Sequence, residues 1–583
     1  MRRFVAKFTT NPDNVWGQNL AASYGKTMSS AYSTAGFVYA ANATGNNFAV
    51  GGARADLQPG VLAGALAPLA ATLPPVSAQV SAFLARGGAD GNALYAVWVG
   101  ANDAFTQLGG IGAGLPVPTA LANLQTAATA EAAQIARLQA AGGKNLIVIG
   151  LPNIGATPFG TSQGAAGAAL LGTMSSTYNE TLKAAIAGRN ALYFDAAAAL
   201  NAVMADPGRF GFTNTTAPAC GGSTSSLGCV PGLTPGAVGA AQAAGYLFAD
   251  GVHPGGTMNR FISDWIYSTL ESTGRLSLLS TVPMGRSGAQ WRAIDGRMRE
   301  FQNASYKGQG FFVTGDYASS KLDATATAPS ASGNGRNIVL GYEKALDEDL
   351  FAGVTLGFGR TPFDLGNGSG KVSYDEWALS AFMSKKYGAW YANVIATAAS
   401  LDFDVTRNTT LGLATISDNG STDGRQLGMK AEVGYNFSNG SYVHGPLAGL
   451  AWEEVKVDGY QENSGNFTAM QFGEQTRKQL RSRLGYQVQG MSDWSGMRVR
   501  PYAQLTYEYQ HLKDNREYSA GFVGSSVAMG VASENRRGGY GLLAVGGTFE
   551  LSKNLNLGLG VTTTISQPGA RNSSLAVTLS SPL

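Results

Sequence analysis

From about residue 306 to the C-terminus, apolar and polar positions alternate with a period of two. Val499, Ala503, Leu505, Tyr507 and Tyr509 fall on one parity and Arg498, Arg500, Gln504, Thr506, Glu508 and Gln510 on the other, which predicts a strand with one apolar and one polar face. Leu555, Leu557, Leu559 and Val561 alternate in the same way with Asn554, Asn556, Gly558 and Thr562, and Trp377, Leu379, Ala381 and Met383 repeat the pattern. About twelve such segments can be placed, near residues 310, 340, 355, 378, 395, 430, 448, 485, 504, 544, 558 and 577, with Gly, Asn, Asp and Ser between them. Each runs for about ten residues, the length of a tilted strand that crosses a bilayer. Tyr374, Trp377, Trp390, Tyr391, Tyr435, Tyr442, Trp452, Tyr502 and Tyr540 lie mainly towards strand ends or turns, where an interfacial girdle would sit. A soluble sandwich would alternate too, but strand length and aromatic placement favour a closed antiparallel barrel, which leaves no unpaired edge in lipid.

Residues 1 to about 275 have a different pattern. Short apolar runs at Ala93 to Val99 and Asn145 to Gly150 are bounded by turn residues and read as buried parallel strands. Between them Pro118 to Ala141 has the Ala, Leu, Gln and Glu content of a helix, which Gly142-Gly143 ends. A strand around Ala191 to Phe194 and a helix from about Gly256 to Ser272 continue an α/β layout. The polar segment Arg286 to Asn303, with Arg286, Arg292, Asp295, Arg297, Arg299 and Glu300, predicts a helix. It is either a surface linker or, placed just before a barrel, a plug whose charges meet a polar lumen. The expected division is 1–275, 276–305 and 306–583.

Composition narrows the classes of function. In 583 residues only 14% are charged and the formal net charge is +3, so no field of one sign argues for nucleic acid as a partner. No metal or cofactor motif occurs. Cys220 and Cys229 lie close together in a Gly/Ser/Pro-rich segment, where a bridge would close a short loop and suit an oxidising compartment; two unpaired thiols are the alternative. The opening stretch MRRFVAKFTTNPDNVW has basic residues but no apolar core and no cleavage site for export. The most apolar stretch, Val61 to Val76, is interrupted by prolines at 68, 74 and 75, which argues against a helical membrane span.

Three short blocks carry the chemistry: Asn47-Phe48-Ala49-Val50-Gly51-Gly52-Ala53, Gly100-Ala101-Asn102-Asp103 directly after a predicted strand, and Asp250-Gly251-Val252-His253-Pro254. In order and spacing they resemble the Gly, GxND and DxxH blocks of GDSL/SGNH hydrolases. Followed by a twelve-strand barrel, they make the whole chain similar to the GDSL-type autotransporter esterases. The resemblance implies a flavodoxin-like α/β passenger outside the cell, joined to a transmembrane autotransporter barrel in a bacterial outer membrane. It also implies an acyl-ester or lipid substrate, outer-membrane lipid around the barrel, insertion by the barrel-assembly machinery, and no cofactor.

Acyl transfer needs a histidine to take the serine proton and an acidic residue to hold the imidazole in the useful tautomer. His253 and Asp250 fit those roles, and His253 is the first half's only histidine, since the next is His444. Gly51 can bring its N–H close to a developing oxyanion because it lacks a Cβ, and Asn102 at a strand's carboxyl end supplies an amide. Gly100 is expected to permit the tight strand exit and Asp103 to order the loop rather than react.

The nucleophile departs from the pattern. Relatives carry it in an N-terminal Gly-Asp-Ser block, and no Gly-Asp-Ser occurs in this sequence; Gly315-Asp316 continues with Tyr317. Phe8-Thr9-Thr10-Asn11 and Val15-Trp16 resemble the residues just downstream of that block in relatives. The expectation is therefore a chain that begins after its export signal and serine. Ser23, Ser29 and Ser30 fall in a helix-like stretch and make poor substitutes. The competing expectation is a non-catalytic surface-binding protein, or a decayed esterase, on the same barrel. The C-terminus Ser-Ser-Pro-Leu583 lacks the terminal aromatic usual in outer-membrane barrels.

Overall fold

The structure, a computed structural model, describes the chain apart from residues 1–6, 36–37, 42–43, 63, 222–224, 285–286, 304–307, 326–327, 513–516, 533–537 and 583. The strand Asn145–Ile149 shows how the first half is built. It lies at the centre of a three-stranded parallel sheet between Leu94–Val97 and Leu192–Phe194. Its side chains alternate between two buried layers, as strand geometry requires. Leu146 and Val148 join Leu124, Ile135, Met174 and Leu182 of the helices Val117–Ala140 and Gly164–Ala185. Ile147 and Ile149 face the other way, onto Phe261, Trp265 and Ile266 of the helix Gly256–Leu276. Helices on both faces of a parallel sheet explain why these strands read as continuous apolar runs rather than as alternating ones. Gly142, at φ 110°, closes the long helix as its sequence predicts. A hairpin Tyr32–Ala35/Val38–Ala41 and a parallel pair Asn214–Pro218/Tyr246–Phe248 complete the half; neither is visible as an apolar pattern.

In the second half the strands Gln309–Leu322, Ala331–Ala345, Leu350–Leu365, Gly370–Tyr387, Trp390–Leu411, Ala414–Tyr435, Tyr442–Val457, Gln475–Gly490, Met497–Gln510, Gly539–Ser552, Leu555–Ile565 and Ala570–Pro582 pair antiparallel, each with the next. The last pairs with the first, from Ala570↔Leu322 to Pro582↔Gly310, and closes a twelve-stranded barrel. Every one of the twelve alternating segments is a strand of it. Leu505, Tyr507 and Tyr509 point outward while Gln504, Thr506 and Glu508 are buried within, and Trp377, Leu379 and Met383 point outward against inward Ala378, Ser380 and Phe382. Leu557 is half-buried, with Leu559 and Val561 the more exposed residues of its strand. The aromatic expectation needs correction. Trp377, Trp390 and Tyr442 are exposed, but Tyr374, Tyr391 and Tyr540 are buried inside the barrel, because they sit on the inward parity, which strand-end position does not reveal.

The helix Ser287–Asn303 occupies the lumen; Arg286 and Leu583 lie outside the described residues. Trp291, Ile294, Met298 and Phe301, spaced three or four apart, pack on Phe312, Val339, Phe351, Phe382 and Ile395 of the wall. Its charges find wall partners: Arg292 with Asp316 at 2.7 Å, Asp295 with Lys430 at 2.6 Å, and Arg297 with Glu343. Short turns join strands at the end where Gln309 begins; at the other end stand the longer connections 458–474 and 511–538, beside the α/β half. No helix among the described residues is long and apolar enough to cross a membrane.

Leu505 is 53% exposed on the barrel wall and its neighbour Gln504 is 7% exposed in the lumen. An arginine at Leu505 is expected to cost about 2 to 4 kcal/mol of folding free energy in lipid, and a polar exchange at Gln504 well under that. Equal effects of the two substitutions in a liposome folding titration would contradict this orientation.

Candidate active site

The three sequence blocks meet at the carboxyl end of the parallel sheet. The strand Leu94–Val97 leads into Gly100, which holds φ 108° directly before the helix Ala101–Gly112. A Cβ there would come within 2.4 Å of the Tyr178 ring, so both backbone conformation and space require glycine. Asn102, in the first turn of that helix, donates from Nδ2 to the Ala53 carbonyl at 2.9 Å. Asp103 is buried, accepting from Ala55 N at 2.9 Å and Arg54 Nε at 3.0 Å. Burial raises its pKa, against the lowering effect of those two donors. Asn102 and Asp103 thereby tie the Gly51-Gly52-Ala53 loop to the strand exit. Nothing in the sequence marks Arg54 for this part, since it is one arginine shortly after a glycine pair.

Asp250 and His253 form a second unit. The Asp250 carboxylate is buried and accepts from His253 Nδ1 at 2.8 Å, from the backbone N–H groups of Val252 and His253 at 3.0 and 2.8 Å, and from Ser226 N at 2.6 Å. Burial by itself would raise its pKa, but the hydrogen bond and charge of His253 with the two backbone donors of its own loop hold it well below the ordinary carboxylate value. With Nδ1 donating to Asp250, the imidazole is in the tautomer that leaves Nε2 able to take a proton; among the described residues Nε2 has no hydrogen-bond partner. Ser226 is a contribution the sequence does not announce. It belongs to the loop closed by a Cys220–Cys229 disulfide, and its carbonyl accepts from Asn11 Nδ2 at 3.0 Å. Asn11 N also donates to the Cys229 carbonyl, so the stapled loop holds a backbone donor on Asp250.

Phe8 joins the two units. Its ring stacks on His253 with centroids 4.6 Å apart, and a Cβ built on Gly51 would lie 2.2 Å from it. Gly51 and His253 therefore pack on the same ring, with Asn102 tied to the Gly51 loop through Ala53. Ser23 is the last residue of the helix Trp16–Ser23 and bonds Asn19 O, while Ser29 and Ser30 lie outside any helix. None of the three reaches His253. No cluster of metal-binding side chains occurs among the described residues.

Residues 8–266 match the family model of the GDSL-like Lipase/Acylhydrolase, and residues 311–562 match that of the Autotransporter beta-domain. A relative described as an uncharacterized protein in the trpE-trpG intergenic region of Pseudomonas putida is 28% identical over 493 residues, 81% of this chain and 79% of that protein. Esterase EstA of Pseudomonas aeruginosa is 30% identical over 387 residues, 64% of this chain and 58% of that protein. Among solved structures, the translocator domain of autotransporter NalP from Neisseria meningitidis aligns with 52% of this chain and 98% of its own, at 16% identity and a TM-score of 0.43. The chain thus combines a half that matches the GDSL-like hydrolases with a half that matches the autotransporter β-domain. It is an outer-membrane protein whose hydrolase half stands outside the cell.

Under the GxND loop lies a buried acid that the sequence does not advertise. Glu131 is buried and accepts from the Tyr178 hydroxyl at 2.6 Å, and Tyr178 is the ring against which Gly100 packs. Burial pushes Glu131 up to about 8, against the Tyr178 hydrogen bond and with the Asp103 charge adding to it. An acid whose folded pKa is raised keeps its proton while the unfolded chain loses it. Folding stability is therefore expected to fall as pH rises from about 4.5 to about 8, by on the order of 5 kcal/mol. Glu131→Gln, which retains an oxygen for Tyr178, should flatten that slope in melting curves of the full chain between pH 5 and 8; an unchanged slope would show that Glu131 is ionised throughout.

Proposed function

We propose that the hydrolase half cleaves carboxylic esters of acyl chains at the cell surface, with His253 as general base and Asp250 as the group that orients and stabilises it. The N–H of Gly51 and the Asn102 amide are the oxyanion donors, while Gly100 and Asp103 shape the loop. The observation that carries this reading is the buried Asp250 carboxylate on His253 Nδ1, the arrangement that makes an imidazole a base towards a hydroxyl. The domain division is 1–275, 276–305 and 306–583, with insertion of the barrel by its assembly machinery.

The nucleophile in this reading is the serine of a Gly-Asp-Ser block, which this sequence does not contain. A Ser Oγ at Nε2 would give up its proton as it attacks the ester carbonyl; the oxyanion would form at the Gly51 and Asn102 donors, and His253 would then protonate the departing alcohol. Without that serine no acyl-enzyme forms. Positioned donors alone leave roughly 10³- to 10⁴-fold acceleration over water, by analogy with serine proteases stripped of a triad member.

This chain is therefore expected to hydrolyse p-nitrophenyl esters only feebly. A version extended at its N-terminus by a segment with a strand and a Gly-Asp-Ser turn should gain activity, and His253→Ala in that version should abolish the gain. An extended protein that folds and binds p-nitrophenyl esters without turning them over, or one indifferent to His253→Ala, would favour a surface-binding protein on the same barrel.

A further inference from the structure

Two extracellular connections of the barrel fold into a small antiparallel sheet, in the order Tyr460–Gln461, Met470–Phe472, Glu517–Phe522, Met529–Ala532. The last two strands form a hairpin that reaches the parallel sheet of the hydrolase half at its Leu192–Phe194 edge. There Asn190 and Ala528 form a parallel bridge, Gly188 N donates to Ser526 O at 3.1 Å, and Gly530 N donates to Asn190 Oδ1 at 2.8 Å. Val527 is buried in the same apolar layer as Ile186, Ala191 and Tyr193. Phe522 packs edge-on to Phe194 with centroids 5.1 Å apart and lies 5.9 Å from Trp265. Tyr518, Ala520, Met529 and Val531 share the layer of Leu192 and Phe194, and the Tyr518 hydroxyl donates to the Thr273 carbonyl.

We infer that this hairpin is an edge element of the hydrolase domain itself, so that the domain reaches its stable fold only when docked on the mouth of its own barrel. Without the hairpin, the Leu192–Phe194 edge and the apolar side chains Ile186, Phe194 and Trp265 would lose their cover. An open strand edge beside an exposed apolar patch is a site of local unfolding and of pairing with other chains. The hairpin is also firmly held from the barrel side. Gln471 Nε2 donates to Ser525 O at 3.0 Å, and Val523 N donates to Ala469 O at 3.0 Å. Below it, the buried Arg407 of a barrel strand binds Asp418 at 2.8 Å and Glu462 at 2.6 Å, and donates to Thr468 O at 2.6 Å. The connection 458–474 is thereby anchored to the barrel, and the hairpin to that connection. The hydrolase half is thus attached through the lumen helix, through the tip of the barrel hairpin at Thr410 and Gly412, and through this docked edge, and the last makes the barrel a folding partner as well as an anchor.

The test uses the full chain in the outer membrane of intact cells. Val527→Asp together with Phe522→Ala should leave the barrel's heat-modifiable gel mobility unchanged while the hydrolase half is degraded at about tenfold lower external protease, because local opening governs cleavage. Equal protease resistance in the variant and the parent would overturn the inference. A second variant, Asn190→Cys with Ala528→Cys, reports docking without weakening the core, since bridge partners lie within disulfide reach. It should cross-link spontaneously and raise protease resistance; absence of the cross-link would equally overturn the inference, including where the first variant loses its barrel.

Discussion

Backbone groups in the hydrocarbon of a bilayer have no water to bond, so a sheet placed there must leave no edge. The pairing of Gln309–Leu322 with Ala570–Pro582 meets that requirement, and most of the architecture depends on it. Once closed, the barrel has an interior whose polar residues also need partners. The helix Ser287–Asn303 supplies them, with Arg292, Asp295 and Arg297 each on an oppositely charged wall residue and a stripe of Trp291, Ile294, Met298 and Phe301 on the apolar part of the wall. Such buried pairs offset desolvation rather than add much net stability. Their effect is to fix one orientation of the helix. Because that helix ends next to the first strand at the short-turn end, everything before it emerges at the opposite end.

At that end the barrel does not stop at the membrane. The strands Trp390–Leu411 and Ala414–Tyr435 each run 22 residues, about twice what a tilted strand needs to cross the hydrocarbon. The excess carries Leu401, Phe403, Val405, Leu411 and Ile416 into one continuous apolar core with Phe261, Trp265 and Phe194 of the hydrolase half. Ser268 Oγ and the Asp264 carboxylate bond the backbone at Thr410 and Gly412 at the tip of this hairpin. The two halves therefore share a core, although their sequences have different periods.

The candidate site rests on the same logic of satisfied buried charge. Asp103 and Asp250 are both buried carboxylates, and each is surrounded by donors: Arg54 and Ala55 from a loop distant in sequence for one, and Ser226 from a separate loop with His253 of its own loop for the other. A buried carboxylate without such donors would take up a proton or force the fold open. In meeting their own requirement, the two aspartates fix the Gly51 loop against the strand exit and the imidazole against its loop. Site geometry is here a by-product of electrostatic necessity in a desolvated interior.

Strand and helix identities were legible because they depend on local periodicity. All twelve barrel strands and the parallel runs at Leu94, Asn145 and Leu192 stand where apolar spacing puts them. The blocks around Gly51, Asn102 and Asp250-His253 stood out as short runs of distinctive residue types, which the fold gathers at one end of the parallel sheet. No local pattern carries the meeting of distant segments. Ser226 on Asp250, Phe8 between Gly51 and His253, and Glu131 beneath Gly100 come from residues that are ordinary in sequence and are defined by burial and direction. Tyr374 and Tyr391 show the same limit inside one strand: their aromatic character fits a lipid interface, while their parity sends them into the lumen. The hairpin Glu517–Ala532 was invisible for the deepest reason. Its short strands do not hold a period long enough to read, and they are shaped by an apolar edge more than 300 residues earlier in the chain, which exists only after both halves have folded.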